Sequence, residues 1–505
     1  MSFTRRTSWI VVLLLLEGLS GWLLAPQAQA AVNSDEGSVP GESRDLGPFV
    51  LLGWNDLGMH CSNKIFADLA VLPPFNTFWA VLIERGDAQS DPVVVGPGYR
   101  VSYSFENNTW SVGKTDFWSW EDRLFGVHLP DNIGLTGRGL TGDLDWAGDH
   151  FVADGTPLTP FDDGQLLHEQ PFQLANLVAR NAQDQIVAQT QIVTPVSNEM
   201  TCSACHDPED GETVDQDILR EHDEEHGTNL MGSRPVLCAT CHASNALGMP
   251  GNPNLPSLSL AMHERHAEET DDCYLCHPGP HTQCLRDVMS QQYGMVCQDC
   301  HGTMLQVARS IELGREPWLE EPRCGSCHGF NYEEEPNTLY RNSNNGHGGL
   351  YCPVCHNSPH AILPSREERD NRQMVAVQGH AGTLRDCTVC HGIVPSGPGP
   401  HGYVPTAVSG ATPVSPEPLQ AGPNPFTGRI EVRYVVAGAQ PIRLAIHDAG
   451  GREVRVLAHN SQTPGAHTLV WDGRDHNGRD VARGVYWVRL DSEGTTSSLR
   501  LVKAG

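Results

Sequence analysis

The 505-residue sequence predicts a multidomain fold in three unlike parts: a β-sandwich, an irregular region of short helices and loops, and a second, smaller β-sandwich. Three observations carry this expectation. Short alternating apolar runs, broken by Gly, Pro and Asp clusters, occupy 48–196 and 425–505. Seven Cys-x-x-Cys-His motifs crowd the stretch between them, 197–402. A Pro-rich segment, 403–424, reads as an extended linker before the second sandwich.

Taken in chain order, Arg5 and Arg6 form a basic start, Ile10 to Leu16 an apolar run, and Ala28-Gln29-Ala30 a small-residue cleavage site. Residues 1–30 therefore read as a secretory signal, with the mature chain beginning at Ala31 and a flexible segment over 31–47. Glu17 interrupts the apolar run, which falls short of the roughly 20 residues a membrane span needs. No later segment is long and apolar enough to cross a bilayer. Within 48–196 the expected strands are Phe49 to Leu52, Trp79 to Ile83, Tyr99 to Phe105, and Phe172 to Ile192 folded about a hairpin at Asn181-Ala-Gln-Asp.

The motifs are Cys202/Cys205/His206, Cys238/Cys241/His242, Cys273/Cys276/His277, Cys297/Cys300/His301, Cys324/Cys327/His328, Cys352/Cys355/His356 and Cys387/Cys390/His391. Each is the c-type haem attachment signature, in which two thiols add to the porphyrin vinyl groups and the adjoining histidine becomes the proximal iron ligand. Zinc would need the Cys pairs to combine two by two, and seven is odd. The expected cofactors are thus seven covalently attached c-type haems. At roughly 29 residues per haem the region is too short to build a side-chain core around each, so the porphyrins are expected to form most of its interior. Folding there should depend on haem insertion.

A low-spin iron needs a second axial ligand, usually His or Met. Nine histidines lie outside the motifs in this region: His222, His226, His263, His266, His281, His347, His360, His380 and His401. The preferred distal set takes one of His222 and His226, one or both of His263 and His266, and then His281, His347, His360, His380 and His401. His281 and His360 each follow a proximal histidine by four residues, a spacing that points the second ring at a neighbouring haem. No free histidine lies between motifs four and five, and Met231, Met262, Met289, Met295, Met304 and Met374 are substitutes. Mostly bis-histidine ligation, with low potentials, is the expectation.

Cys61 and Cys284 are left over. A disulfide between them, free thiols, or a metal site of Cys61 with His60 are three open readings. The net charge of −28 argues against nucleic acid, whose phosphates need a basic face. Basic redox partners fit it, and so does plain solubility. The stretch from Thr201 to Gly402 has no lysine, which removes a lysine-ligated catalytic haem. The chain therefore reads as an electron carrier more than an enzyme. Its alternatives are a reductase of a small nitrogen or sulfur oxyanion, or a subunit of an extracellular cytochrome filament.

Two resemblances add to this. Gly53-Trp-Asn-Asp-Leu-Gly-Met-His-Cys61, Leu72-Pro-Pro-Phe-Asn76, Gly346-His-Gly-Gly-Leu-Tyr-Cys352, Asn357-Ser-Pro-His-Ala361 and Gln378-Gly-His-Ala-Gly-Thr-Leu-Arg-Asp-Cys387 resemble a family of exported bacterial multihaem cytochromes marked by the Trp-Asn-Asp-Leu-Gly-Met-His-Cys sequence. The likeness covers most of 50–402 and implies electron transfer. At the other end, Asn424-Pro-Phe, Asp448-Ala-Gly-Gly-Arg-Glu-Val454, Trp471-Asp-Gly-Arg and Gly484-Val-Tyr-Trp-Val-Arg-Leu490 resemble FlgD-like immunoglobulin domains and type IX sorting domains. That likeness implies an Ig-like sandwich and delivery to the outer surface or medium, against a plain adhesion or spacer role. Together these give an exported protein, periplasmic, outer-surface or extracellular. Its partners would be redox proteins or an external acceptor, with surface attachment or self-assembly through the terminal β domains.

Overall fold

Alternation becomes two facing sheets over the first part of the chain. The structure is a computed structural model. It describes residues 46–402, except 330, 331, 336 and 398, and residues 419–504, except 423, 437–439, 449–451, 464 and 493–494. The expected signal over 1–30, most of the segment over 31–47 and the linker from 403 to 418 lie outside the described residues. Strands β1 (Phe49–Asn55), β2 (His60–Cys61), β3 (Leu69–Ala70), β4 (Asn76–Glu84), β5 (Val93–Val95) and β6 (Arg100–Phe105) lead to a short helix α1 (Glu121–Phe125). They continue as β7 (Thr141–Asp143), β8 (Asp145–Trp146), β9 (Phe151–Thr156), β10 (Phe172–Arg180) and β11 (Ile186–Ser197). One sheet runs β1-β4-β9-β8 with β5 on β4, the other β2-β11-β10-β6-β7. Between them Leu51, Phe78, Leu82, Tyr103, Phe151 and Leu177 form one buried core. The β10–β11 hairpin closes at Asn181, whose Oδ1 accepts the backbone N–H of Gln183 and Gln185, each at 3.0 Å.

Short helices dominate from there. They are α2 (Val214–His226), α3 (Leu258–His266), α4 (Val288–Tyr293), α5 (Cys297–His301), α6 (Met304–Glu312), α7 (Gly325–His328), α8 (Cys352–His356), α9 (Glu368–Gln378) and α10 (Thr388–His391), with a two-residue strand β12 (Val236–Leu237) after α2. Local signals set their ends. Thr213 and Gln216 form a reciprocal cap on α2, and Thr303 and Gln306 another on α6, while Gly227 stops α2 with φ of 65°.

The first sandwich anchors this region at several places. β12 pairs in parallel with β3, and β2 with the end of β11, so the stretches leading to motifs two and one are fixed by strand bridges. The outer face of β1 and β4, through Val50, Leu52, Val81 and Ile83, packs against Val354, Leu363, Met374 and Val389 around motifs six and seven. Gln373 of α9 reaches the edge of β1, its Oε1 accepting the Gly53 N–H at 2.8 Å and its amide donating to the Gly53 carbonyl at 3.1 Å.

The last part is a second sandwich. β13 (Leu419–Gly422), β14 (Ile430–Val436) and β17 (Gly465–Trp471) form one sheet. β15 (Gln440–Asp448), β16 (Glu453–Gln462), β18 (Gly484–Ser492) and β19 (Thr495–Lys503) form the other. Leu444, Ile446, Tyr434, Trp471, Val488 and Leu501 are buried between them. One boundary is corrected: Leu419–Gly422, expected as linker, is an edge strand on β14, because Leu419 is apolar and drops into this core.

Candidate functional site

A Cys-x-x-Cys-His sequence wound through one helical turn puts both thiols and the histidine on one side of the backbone. That winding is present in motif after motif. The backbone N–H of the histidine bonds the carbonyl of the first cysteine at 2.9–3.1 Å for His206, His242, His277, His328 and His391.

The thiols of a motif are not equally covered. Cys205 and Cys241, the second cysteines of motifs one and two, are exposed, as is Cys300 of motif four, whereas the other motif cysteines are half-buried. Cys205 and Cys241 each stand at the C-cap of a three-residue turn, Cys202–Ala204 and Cys238–Thr240, as the half-buried Cys276 does after Cys273–Leu275, so the difference lies in what folds over them. Both still sit beside another motif thiol, Cys205 acting on Cys276 and Cys241 on Cys238.

Six motif histidines face a second histidine ring. His206 faces His266 with ring centres 6.4 Å apart, His242 faces His222 at 6.3 Å, His277 faces His263 at 6.1 Å and His301 faces His360 at 6.2 Å. His356 faces His401 at 6.1 Å, and His391 faces His347 at 5.9 Å. The remaining distal candidates, His226, His281 and His380, face no motif histidine among the described residues. His226 instead meets His222 edge-on with ring centres 4.8 Å apart, His281 is tied by its backbone N–H to Glu199, and the His380 ring turns back onto the Ala381 carbonyl.

Several of these rings are held by one nitrogen only. Nδ1 of His263 lies 2.7 Å from the Ser259 carbonyl, that of His266 2.7 Å from Met262, that of His242 2.9 Å from Pro256, and that of His222 3.0 Å from the Thr228 hydroxyl. Nδ1 of His206 sits 3.4 Å from carboxylate oxygens of both Asp217 and Glu221. Each contact leaves Nε2 free, which is how a metal-binding imidazole is oriented. Burial brings His356 and His360 down to about 4, so both are neutral and lone-pair bearing at ordinary pH. His360 and His401 also occupy the left-handed region, with φ of 61° and 55°. Non-glycine residues held there point to function.

Neighbouring motifs lie close enough for their thiols to interact. Cys276 of motif three acts on Cys202 of motif one, Cys273 on Cys297 of motif four, Cys300 on Cys327 of motif five, Cys324 on Cys352 of motif six, and Cys355 on Cys390 of motif seven. Motifs one and two share the charge of Asp215. These contacts link motif one with three, three with four, four with five, five with six and six with seven.

The Trp54 to Cys61 stretch serves this array from behind. The Asn55 side chain bonds Asn76 and Thr77 and accepts the N–H of Leu57 and Gly58, closing a tight turn. Gly58 has φ of 79°, and a Cβ there would stand 1.7 Å from the Pro359 carbonyl oxygen, beside His360. Arg286, fully buried, donates to the Gly58 carbonyl at 2.9 Å and pairs bidentately with Asp370 at 2.6 and 3.0 Å. Its own backbone N–H bonds the His360 carbonyl. Nothing in the residue types alone pointed to Arg286 or Asp370 as the clamp on the His360 loop.

Cys61 and Cys284 are neighbours. Burial, and then the charge of Cys284, pushes Cys61 up to about 12. His60 Nε2 lies 2.7 Å from Asp56 Oδ1.

The FlgD Ig-like domain family matches residues 425–495. The C-terminal sandwich is a FlgD Ig-like domain. In that domain Asp475 Oδ1 accepts the backbone N–H of Asn477 at 2.8 Å and of Arg479 at 3.0 Å, so this acidic loop is a hairpin turn. Among solved structures, FlgD from Xanthomonas campestris is similar at 28% identity over 17% of this chain and 62% of that one, with a TM-score of 0.14. PorZ, a surface component of the type-IX secretion system of Porphyromonas gingivalis, is similar at 22% identity over 17% of this chain and 11% of that one, TM-score 0.14. The chain thus spans less than two thirds of the length of either. No curated protein matches it. Among the described residues no helix is long and apolar enough to cross a membrane.

Proposed function

We propose that this protein is an exported multihaem c-type cytochrome that carries electrons along a chain of seven covalently bound haems. The observation that carries the reading is the six facing histidine pairs. An iron about 2 Å from each of two opposed Nε2 atoms holds the ring centres roughly 6 Å apart, and the pairs stand at 5.9–6.4 Å. A haem, when bound, supplies a one-electron ferric/ferrous couple.

What the chain's own residues contribute is placement. The motif cysteines would hold seven haems, and the paired imidazoles would give six of the irons two protein ligands, which favours electron transfer with little rearrangement. The Nδ1 contacts set the tautomer, and the Asp217 and Glu221 carboxylates beside Nδ1 of His206 orient that ring. The export signal expected at 1–30 and the FlgD Ig-like domain support a periplasmic or outer-surface site of action. The Cys61–Cys284 neighbourhood supports a disulfide between the first sandwich and the motif region in such an oxidising compartment.

Intact-mass measurement of the secreted protein, followed by a combined optical and EPR redox titration, tests the reading. Seven haem additions and at least six low-spin centres are expected. An unmodified polypeptide, or zinc in place of iron, would end it.

A further inference from the structure

His328 stands apart from the other motif histidines. Six of them face a partner imidazole, whereas among the described residues no histidine ring faces His328. The segment between motifs four and five contributes none, since it contains no histidine. His226, His281 and His380 remain over: the His226 ring lies edge-on to His222, the His380 ring turns onto the Ala381 carbonyl, and His281, whose backbone N–H bonds Glu199, has no motif histidine facing its ring among the described residues.

The surroundings of this motif are also distinctive. Glu334 is buried at 3% exposure, both carboxylate oxygens 3.2 Å from the backbone nitrogen of Cys324. Arg323 is matched by Glu333 at 3.6 Å and Glu334 at 3.9 Å, and Arg341 by Glu321 at 2.8 Å. Arg500 donates to the Ser326 carbonyl. The two propionates of a haem would turn this near balance negative, in a chain already at −28.

We infer that the haem attached at Cys324 and Cys327 and held by His328 keeps one axial position open to a small uncharged ligand. The inference rests on the cytochrome reading above and adds a binding site to it. A bis-imidazole iron has no position to offer, while an iron with one protein ligand binds small donors. The negative surroundings favour a neutral donor of the diatomic-gas kind over an oxyanion. Motif five lies between motifs four and six, so such a ligand would sit inside the array instead of at its end.

The test uses purified holoprotein whose mass shows seven haems. EPR and magnetic circular dichroism of the oxidised protein should give one high-spin and six low-spin centres. The reduced protein should bind one equivalent of carbon monoxide, and azide should leave the ferric high-spin signal unchanged. His360→Ala, which removes the ring facing His301, calibrates the assay and should raise carbon monoxide binding to two equivalents. Seven low-spin centres with no carbon monoxide binding overturn the open position, whether the sixth ligand is a methionine or a histidine from a second copy. An azide-shifted signal overturns the preference for an uncharged ligand. Fewer than seven haems by mass would instead count against the cytochrome reading itself.

Discussion

Between Phe49 and Ser197 the interior is made of side chains: Leu51, Phe78, Leu82, Tyr103 and Leu177 close the gap between two sheets. Between Asn198 and Gly349 the buried apolar side chains among the described residues, prolines apart, are Leu219, Leu237, Ala239, Met304, Ala308 and Ile311. Six side chains cannot hold that length of chain together, because ordering it costs more free energy than their burial supplies. The first sandwich carries its own side-chain core, whereas under the proposed reading covalently held haems would fill the motif region. Motifs one, two, six and seven lean on the sandwich through strand bridges and shared clusters, so motifs three to five depend most on that filling.

The largest effect should come from withholding haem. In chain secreted without haem attachment, amides of α3, α5 and α6 should lose roughly a thousandfold or more of their hydrogen-exchange protection, while β1, β4 and β10 keep theirs. Equal loss in both regions would erase the contrast. Next, Arg286→Ala strands Asp370 as a buried unpaired charge at the seam, which should cost about 3–5 kcal/mol in denaturant unfolding. It should also free the His360 loop and add high-spin intensity from motif four; a change below about 1 kcal/mol would show that the seam does not depend on this pair.

Within the sandwich, Leu177→Ala removes a fully buried side chain and should cost about 2–4 kcal/mol, with the visible spectrum unaltered. A shifted spectrum would mean that the two regions are not separable. The smallest effect concerns Asp215, whose carboxyl is raised to about 6, by burial first and then by Asp68 and Asp116. The folded form prefers this acid neutral, so its contribution to stability is present at low pH and is lost as pH rises from about 4 through 6. Asp215→Asn should therefore melt higher than the parent above pH 6 and converge with it below pH 4, as calorimetry would show.

The sequence was most readable where the signal is local. A motif completed in five residues, or a strand written as Arg100-Val-Ser-Tyr-Ser-Phe105, needs no partner to be recognised. The pairing of rings was not readable, because the partner comes from far away in the chain. His301 meets His360 and His391 meets His347, joined by folding around the sandwich and the Arg286 clamp. Position relative to a motif misled for the same reason: His281 and His360 share a four-residue spacing, yet only His360 faces a motif ring among the described residues. Thiol exposure was equally hidden, since Cys205 and Cys241 match the half-buried Cys276 in motif position and differ only in what folds over them. Edge strands such as Leu419–Gly422 hid between prolines, where the linker signal outweighed one apolar residue.

Helix α3 is nine residues long and carries His263 and His266 three places apart, one turned to His277 and the other to His206. A single rigid turn is thus a shared strut between two different motifs. Substitutions on its outer face can drift freely, but one inserted residue would swing the downstream ring by about 100° and leave it unable to meet its mate. The register of this short helix, more than the identity of most of its residues, is what selection on the protein would have to preserve.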